Sequence, residues 1–322
     1  MYKAFYNLTR NPFEITPDPS FFFTTKKHNE ALAALYYGVR QRKGFVVLTG
    51  EVGTGKTLLM RCLLQILTRA NVAFAYVFNS RLNDMEFLQY VTGDFGLPES
   101  GKTKSELLLG LANFVIARSQ KNLTTVLVVD EAHHLSLGVL EEIRLLTNLE
   151  SPREKMLQIV LIGQPELDDK LDCDNLRQLK QRIALRAHLS PLELEETGAY
   201  VHRRLQLAGS VKPESIFPRD TILEVHRYSG GIPRLINTLC ENALIHAYAN
   251  QAQAVTPEII EEIAEDFRLD IAHCPSPEDV VSREPAMQFE QAAQTLLDLY
   301  ARLRQAQPER TNLKTFVRAG RT

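Results

Sequence analysis

The feature that most constrains this chain is a glycine-rich segment between an apolar run and a helical pattern. Residues 50–57 read Gly-Glu-Val-Gly-Thr-Gly-Lys-Thr and fit the pattern G-x-x-x-x-G-K-[ST]. The apolar run 45–48 before the segment predicts a buried strand, and the leucines from Leu58 to Leu67 predict a helix after it. A strand, a glycine loop and a helix in this order are the arrangement of a phosphate-binding loop.

The residue types of this loop suit the phosphates of a nucleotide. Glycines let the backbone curl around an anion without Cβ clashes, and the N–H groups at the positive end of the helix then face the phosphates. We expect Lys56 to reach the β- and γ-phosphates of ATP and the Thr57 hydroxyl to bind Mg²⁺. The predicted nucleotide-binding residues of this segment are Gly50, Glu51, Val52, Gly53, Thr54, Gly55, Lys56, Thr57 and Leu58.

Size, charge and cysteine content exclude several classes of protein. The 322 residues suffice for two domains, or for one large domain and a lid. The net charge of −2 does not indicate DNA binding, although a local basic patch remains open. The four cysteines are scattered without a C-x-x-C pair, so we expect neither a zinc site nor a disulfide framework. The sequence shows no run of 18 apolar residues and no signal-peptide core, which favours a cytoplasmic protein.

Apolar runs alternate with helical patterns in the middle of the chain. Strands are predicted at 45–49, 72–78, 125–129 and 158–162, with a short fifth strand near 187–189. Nearly continuous apolar strands separated by helices indicate a parallel sheet covered on both faces. Right-handed crossovers then give a three-layer αβα sandwich of the P-loop NTPase class.

The remaining segments suggest four parts in the chain. Prolines and phenylalanines before residue 28 predict an extended arm packed on the main domain, and helical patterns from about Leu194 predict a small all-helical lid. Beyond it we expect a linker, an amphipathic helix and a loose basic tail. The boundaries are 1–27 for the arm, 28–193 for the nucleotide-binding domain, 194–270 for the lid and 271–322 for the rest.

The acid pair Asp130–Glu131 directly follows the predicted strand 125–129. An apolar strand that delivers two acids matches the Walker B role, with Asp130 holding Mg²⁺ and Glu131 polarising the attacking water. Residues 130–133 also spell the DEAH box of some helicases. Those helicases need a second α/β core of similar size, whereas the rest of this chain predicts only helices. We therefore expect His133 and His134 to be hydrogen-bonded structure without a catalytic role.

Gln164 and several arginines are further candidates. Gln164 follows the strand 158–162, so it is expected at the same sheet edge as Asp130, where it can help to position the water; a plain polar loop start is the alternative. Arg234 lies in the first turn of a predicted helix after two glycines and Pro233. A cation is mildly unfavourable there, so a nearby anion would explain it.

A basic cluster precedes the predicted fifth strand and contains Arg177, Arg182 and Arg186. The planar guanidinium of arginine binds two oxygens at once and suits the charge of a γ-phosphate. The alternative is a solvated basic helix face.

These residues together resemble an AAA+ ATPase, and within that class the general-secretion-pathway A (ExeA/GspA-like) family. The resemblance covers about residues 1–270, the ATPase part only. Outside the phosphate loop, the matching segments are Asn11-Pro12-Phe13, Thr16-Pro17-Asp18-Pro19, His28-Asn29-Glu30-Ala31-Leu32, Gly163-Gln164-Pro165-Glu166-Leu167 and Tyr200-Val201-His202-Arg203-Arg204-Leu205.

The resemblance implies an AAA+ fold with a C-terminal helical lid, and a role for each candidate. Lys56, Thr57, Asp130 and Glu131 become the hydrolytic core, Gln164 sensor 1 and Arg234 sensor 2. Arg182, ranked ahead of Arg177 and Arg186, becomes a finger that reaches a neighbouring subunit from a helix on the opposite flank of its own.

The expected function is that of an ATP-hydrolysing homo-oligomer, a ring or filament, that remodels or regulates a partner assembly. Secretion or exopolysaccharide machinery is the expected partner, with a cytoplasmic location or a peripheral one at the inner membrane. One alternative is a DNA-bound regulator of transposition, whose candidate basic residues are Arg40, Arg42 and Lys43, or Arg310, Lys314, Arg318 and Arg321. A second alternative is a nucleotide-gated scaffold with negligible turnover, against which Glu131 and Gln164 argue.

Overall fold

A computed structural model describes residues 2–14, 16, 18–21, 23–79, 81–152 and 154–269. The linker, amphipathic helix and tail predicted at 271–322 lie outside these residues. The strands are β1 (Phe45–Gly50), β2 (Ala73–Val77), β3 (Thr125–Val129), β4 (Leu157–Gly163) and β5 (Leu185–Leu189). The helices are α1 (Tyr2–Phe5), α2 (Lys26–Arg40), α3 (Lys56–Arg69), α4 (Asp84–Asp94), α5 (Lys104–Gln120), α6 (Leu137–Leu146), α7 (Glu166–Leu171), α8 (Arg177–Lys180), α9 (Leu194–Leu207), α10 (Pro213–Ile216), α11 (Arg219–Ser229), α12 (Pro233–Ala249) and α13 (Pro257–Asp266).

All five predicted strands form, and they pair in the order β2-β3-β4-β1-β5 with every pair parallel. Every residue of β1, β3 and β4 is buried, as expected for strands covered on both faces. One face packs against apolar side chains of α4, α5 and α6, and α2 contacts β1 and β5. The predicted αβα sandwich is confirmed.

The parallel arrangement brings the carboxyl ends of β1, β3 and β4 to one edge of the sheet. Thr49 pairs with Gly163, and Val129 pairs with Leu161. Asp130 and Gln164 therefore leave the sheet at this carboxyl edge, and the glycine-rich loop continues directly from β1 there.

The described residues form two compact units, which comprise 2–25, 51–58 and 190–269 (the helical unit) and 26–50 and 59–189 (the sheet unit). The four helices predicted after residue 194 are present as α9, α11, α12 and α13, and the short α10 was not predicted. None of the described helices combines the length and apolar character needed to cross a membrane.

The N-terminal segment differs from the predicted arm. Residues 2–5 are helical where an extended arm was predicted, because the prolines that oppose helix begin only at Pro12. Tyr2, Tyr6 and Phe13 belong to the core of the helical unit. Arg204 of α9 holds this segment, since its guanidinium donates to the carbonyl of Pro12 and lies 4.7 Å from the Phe21 ring centre. Tyr2, Tyr6, Phe13 and Phe21 are thus buried.

Candidate nucleotide site

The glycine-rich loop connects β1 to α3, as the sequence predicted. β1 ends at Gly50 and α3 begins at Lys56. Gly53 and Gly55 have φ values of +85° and +102°, a region that glycine enters without the strain imposed by a Cβ. The Thr54 hydroxyl donates to the Glu51 carbonyl at 2.8 Å and closes the turn. The loop therefore has the conformation of an anion cradle ahead of a helix N-terminus.

Lys56, in the first turn of α3, is largely buried, with 7% of its surface exposed. Its ammonium group donates to the Glu51 carbonyl at 2.7 Å, so the cation is held over its own loop. Thr57 and Leu58 are half-buried, whereas Glu51 and Val52 are exposed. A hydroxyl such as that of Thr57 and a carboxylate are oxygen ligands that suit Mg²⁺.

The first turn of α12 packs on the loop at Gly53. The backbone N–H of Arg234 donates to the Gly53 carbonyl at 3.3 Å. A Cβ on Gly53 would lie 2.8 Å from the Arg234 Cβ and 2.9 Å from Ile232 Cγ2, which leaves no room for any other residue. The Arg234 side chain is exposed. The fold thus brings the predicted sensor arginine to the phosphate loop.

The glycines before α12 have separate structural tasks. Gly230 ends α11 in the left-handed region at φ 55°. Gly231 has φ +73°, and a Cβ there would lie 2.0 Å from the Leu192 carbonyl oxygen. Gly231 also accepts a hydrogen bond from the Leu192 N–H at 2.9 Å. With Pro233 at the first position of α12, this turn fixes where Arg234 meets the loop.

Asp130, at the carboxyl edge, is buried with 5% of its surface exposed. Its Oδ1 accepts the Glu131 N–H at 2.9 Å, and its Oδ2 accepts the Tyr76 hydroxyl at 3.1 Å. Burial, and next the neighbouring Asp130 charge, raise the pKa of Tyr76 well above its usual value, so the phenol stays a donor. Sequence reasoning missed Tyr76, because only the strand order places its strand beside β3.

Glu131 has a left-handed backbone, with φ 50° and ψ 37°, which is uncommon for a residue other than glycine. Such conformations cost of order 1–3 kcal/mol and persist only where the surroundings impose them. A 3-10 turn follows at Ala132–His134, and its end is clamped by Lys170, whose ammonium donates to the carbonyls of His133 at 2.6 Å and Leu135 at 2.9 Å. The Oε2 atom of Glu131 is buried, and among the described residues no donor gives it a hydrogen bond.

His133 lies between Glu131 and the start of the β4–α7 connection. Its Nδ1 is 3.5 Å from Glu131 Oε2 and 3.4 Å from the backbone nitrogen of Gln164. Glu131 and Gln164 therefore lie close together at the carboxyl edge, as expected from the parallel sheet. His133 is 7% exposed at its side chain, whereas His134 is exposed, and its ring is tilted by 42° against that of His133 with ring centres 3.9 Å apart.

The structure separates the three clustered arginines. Arg186 donates to Asp168 at 2.6 Å and is therefore engaged within its own chain. Arg177 begins α8 and is exposed. Arg182 was expected in a helix but lies in the turn after α8, which already ends at Lys180.

Arg182 precedes the amino end of β5, so it lies at the edge of the sheet opposite Asp130. Lys155, before the amino end of β4, is its neighbour there: burial, and then the charge of Arg182, lower the pKa of Lys155. Of the basic residues considered for DNA binding, Arg42 forms an ion pair with Glu154, which compensates its charge, and also donates to the Asn122 side chain.

Comparison with known proteins agrees with this geometry. Residues 39–171 match the AAA domain family. Over 256 residues, or 79% of the chain, the sequence is 46% identical to general secretion pathway protein A of Aeromonas hydrophila. The match covers 46% of that protein, so the chain spans about half the length of this relative.

Two solved structures show the same fold. ORC2 of Aeropyrum pernix, determined as ADPNP–ADP complexes, is similar with a TM-score of 0.58 and 16% identity, over 96% of this chain and 88% of that one. Cdc6p of Pyrobaculum aerophilum is similar with a TM-score of 0.57 and 15% identity, over 98% of this chain and 88% of that one. The chain therefore has the P-loop AAA+ fold, and its ATPase-type domain is homologous to part of general secretion pathway protein A.

Proposed function

We propose that this protein binds ATP with Mg²⁺ and hydrolyses it to ADP and phosphate. The observation that carries the proposal is the carboxyl edge of the sheet, where the glycine-rich loop, the acid pair and Gln164 follow three strands of one parallel sheet. This arrangement supplies anion donors, oxygen ligands and a carboxylate base, the groups that phosphoryl transfer to water requires.

Each residue has a distinct part in the proposal. Lys56 and the N–H groups of the loop neutralise the β- and γ-phosphates. Thr57 and Asp130 hold Mg²⁺, which when bound supplies further neutralisation of phosphate charge.

The carboxylate of Glu131, whose side chain is 45% exposed, accepts the proton of the attacking water. Gln164 orients the same water, and Arg234 is supplied to the phosphates by the packing of α12 on Gly53.

The first test of the proposal is nucleotide binding. Lys56→Ala removes the cation that faces the phosphates, and we expect ATP affinity to fall at least about tenfold, roughly 1.4 kcal/mol. Isothermal titration calorimetry with ATP and Mg²⁺ measures it. Unchanged affinity would contradict the assignment of the loop.

The second test separates binding from hydrolysis. Glu131→Gln keeps the shape of the side chain but loses the base, so turnover should fall by about 10²-fold or more while ATP still binds. Glu166→Gln is the matched control, because Glu166 is an exposed acid in the first turn of α7. A Glu131→Gln enzyme as fast as the Glu166→Gln control would remove Glu131 from the mechanism.

We further propose that the protein acts as a head-to-tail oligomer that remodels or regulates a partner assembly. Arg182 supports the oligomer, since it lies at the sheet edge opposite its own acid pair and is suited to a neighbour's phosphate. The kinship with general secretion pathway protein A supports a partner in secretion machinery. The location that we propose is cytoplasmic, peripheral to the inner membrane. Co-purification with membranes in the presence of ATP tests this role for wild-type and Glu131→Gln protein. Equal amounts of the protein in the membrane and soluble fractions would contradict it.

A further inference from the structure

The ring of His133 occupies the space between the proposed base and the proposed sensor. One nitrogen, Nδ1, faces two groups at almost equal distance, the Gln164 N–H at 3.4 Å and the Glu131 carboxylate oxygen Oε2 at 3.5 Å. The His133 side chain is only 7% exposed, so water competes little for this nitrogen. His133 is therefore in contact with the connection after β4 and with the acid after β3.

The chemistry of the two neighbours fixes the role of Nδ1. A backbone N–H can only donate, so Nδ1 must present its lone pair to Gln164. A nitrogen that presents a lone pair cannot also donate to Glu131, and Oε2 of Glu131 indeed accepts no hydrogen bond within the part of the chain that the structure describes. A buried oxygen without a partner is costly in a folded protein. His133 is thus in direct contact with the carboxylate without donating to it, and the ring limits where the Glu131 side chain can lie.

The backbone of His133 is held by the same connection. Lys170 on α7 donates to the carbonyl of His133 at 2.6 Å. A Cβ on Gly163 would lie 3.3 Å from the His133 nitrogen, so the end of β4 also approaches closely. Gly163, Gln164 and Lys170 belong to one continuous segment. A displacement of Gln164 on meeting phosphate would therefore be transmitted to His133, and from there to Glu131.

We propose that His133 is a positioning residue that couples the Gln164 segment to the Glu131 carboxylate through Nδ1. This inference rests on the proposed function, because the reaction it serves is ATP hydrolysis by Glu131. It assigns a task to a histidine that the sequence alone left as plain structure.

Two conservative substitutions distinguish the ring nitrogens. The side-chain oxygen of asparagine sits one bond from Cγ, as Nδ1 does, whereas the polar atoms of glutamine sit one bond further, as Nε2 does. We expect His133→Asn to keep kcat within about threefold of wild type, and His133→Gln to lower kcat about tenfold or more, because misplaced catalytic groups lose one to two orders of magnitude. ATP affinity, measured by calorimetry, should be the same in both variants, since the contact matters only in the transition state.

The matched control is His134→Asn, the exposed neighbour in the same turn. It should keep kcat within about twofold, since no hydrogen bond from Gln164 reaches that ring among the described contacts. If His134→Asn loses as much activity as His133→Gln, or if asparagine and glutamine at 133 behave alike, the coupling through Nδ1 is wrong. A loss that appears in ATP affinity in place of kcat overturns it as well.

A second pair of variants leaves the His133 ring untouched. Lys170→Met removes the hydrogen bond to the His133 carbonyl and should lower kcat while ATP affinity stays unchanged. Lys170→Arg keeps a donor at this position and should recover most of the lost kcat. A wild-type kcat in Lys170→Met would contradict the transmission of movement from the Gln164 segment to His133. Glu131→Gln separates this inference from the proposed function. If Glu131→Gln retains wild-type turnover, both the proposed function and the coupling are wrong. If Glu131→Gln is inactive while the His133 variants have normal kcat, only the coupling is wrong.

Discussion

At the residue scale, the two acids after β3 have opposite surroundings. Asp130 is buried and its two oxygens accept hydrogen bonds from Glu131 N–H and from Tyr76. Glu131 next to it has a side chain that is 45% exposed. Donors that fix a carboxylate suit a metal ligand, whose orientation must be held, whereas a carboxylate open to water suits a base. The difference in surroundings supports the division of roles between the two acids.

Tyr76→Phe tests the support of Asp130. The substitution removes the hydroxyl 3.1 Å from Oδ2 and leaves the ring in place. We expect the Mg²⁺ concentration for half-maximal hydrolysis to rise about tenfold, as is typical when a partner of a metal ligand is lost. The control is Tyr90→Phe, whose ring stacks edge-on against Phe78. Equal Mg²⁺ requirements in the two variants would show that the hydroxyl does not support the site.

At the scale of elements, the turn between α11 and α12 decides where the predicted sensor arginine lies. The sequence Gly230-Gly231-Ile232-Pro233 ends one helix and starts the next, and both glycines have positive φ. Gly231 contacts the backbone at Leu192 so closely that its missing Cβ is a requirement. The position of Arg234 against the phosphate loop is thus set by backbone packing within the helical unit.

Gly231→Ala should therefore destabilise the protein strongly. The left-handed backbone costs alanine about 1–2 kcal/mol, and a Cβ 2.0 Å from the Leu192 carbonyl oxygen adds overpacking of about 1–3 kcal/mol. We expect a loss of about 3 kcal/mol or more in urea unfolding followed by circular dichroism. Gly101→Ala isolates the cost of the left-handed backbone, because Gly101 has φ +70° and a Cβ there would meet none of the described residues within 4 Å. Equal losses in the two variants would mean that the turn relaxes around the new methyl group.

At the scale of the whole molecule, the parallel sheet separates two groups that phosphoryl transfer brings together. The acid pair lies at the carboxyl edge, and Arg182 lies before the amino end of β5. A five-residue strand is roughly 15 Å long, beyond the reach of an arginine side chain. In a head-to-tail oligomer, the arginine of one subunit can instead serve the nucleotide of the next.

Mixing two inactive variants tests this arrangement. Arg182→Ala keeps the base but lacks the finger, and Glu131→Gln keeps the finger but lacks the base. An arginine supplied by a neighbour can contribute about 10³-fold in turnover. We expect the mixture to regain hydrolysis where an intact Arg182 faces an intact Glu131, as measured by phosphate release.

Two observations would contradict assembly through Arg182. One is a mixture no more active than its components, and the other is a specific activity that stays constant over a wide dilution series. Arg177→Ala is the next variant in that case, because Arg177 is exposed whereas Arg186 is already paired with Asp168.

The sequence by itself determined the features that depend on near neighbours in the chain. The phosphate loop follows from the spacing of glycines, since Gly53 and Gly55 need φ values that other residues resist. The buried strands follow from short apolar runs, and the acid pair follows from its place directly after β3. Within the described residues the five strands agree with these expectations to within about two residues, because local propensity and burial act in the same direction there.

The tertiary structure alone decided which distant residues meet. Strand order brings Tyr76 to Asp130 across 54 positions and His133 to Gln164 across 31. It also placed Arg182 in a turn at the opposite edge. These contacts are set by strand pairing and helix packing over the whole sheet, and no local pattern in the chain records them. Function at this site therefore rests on residues that the sequence could nominate one by one, and on a geometry that only the folded sheet supplies.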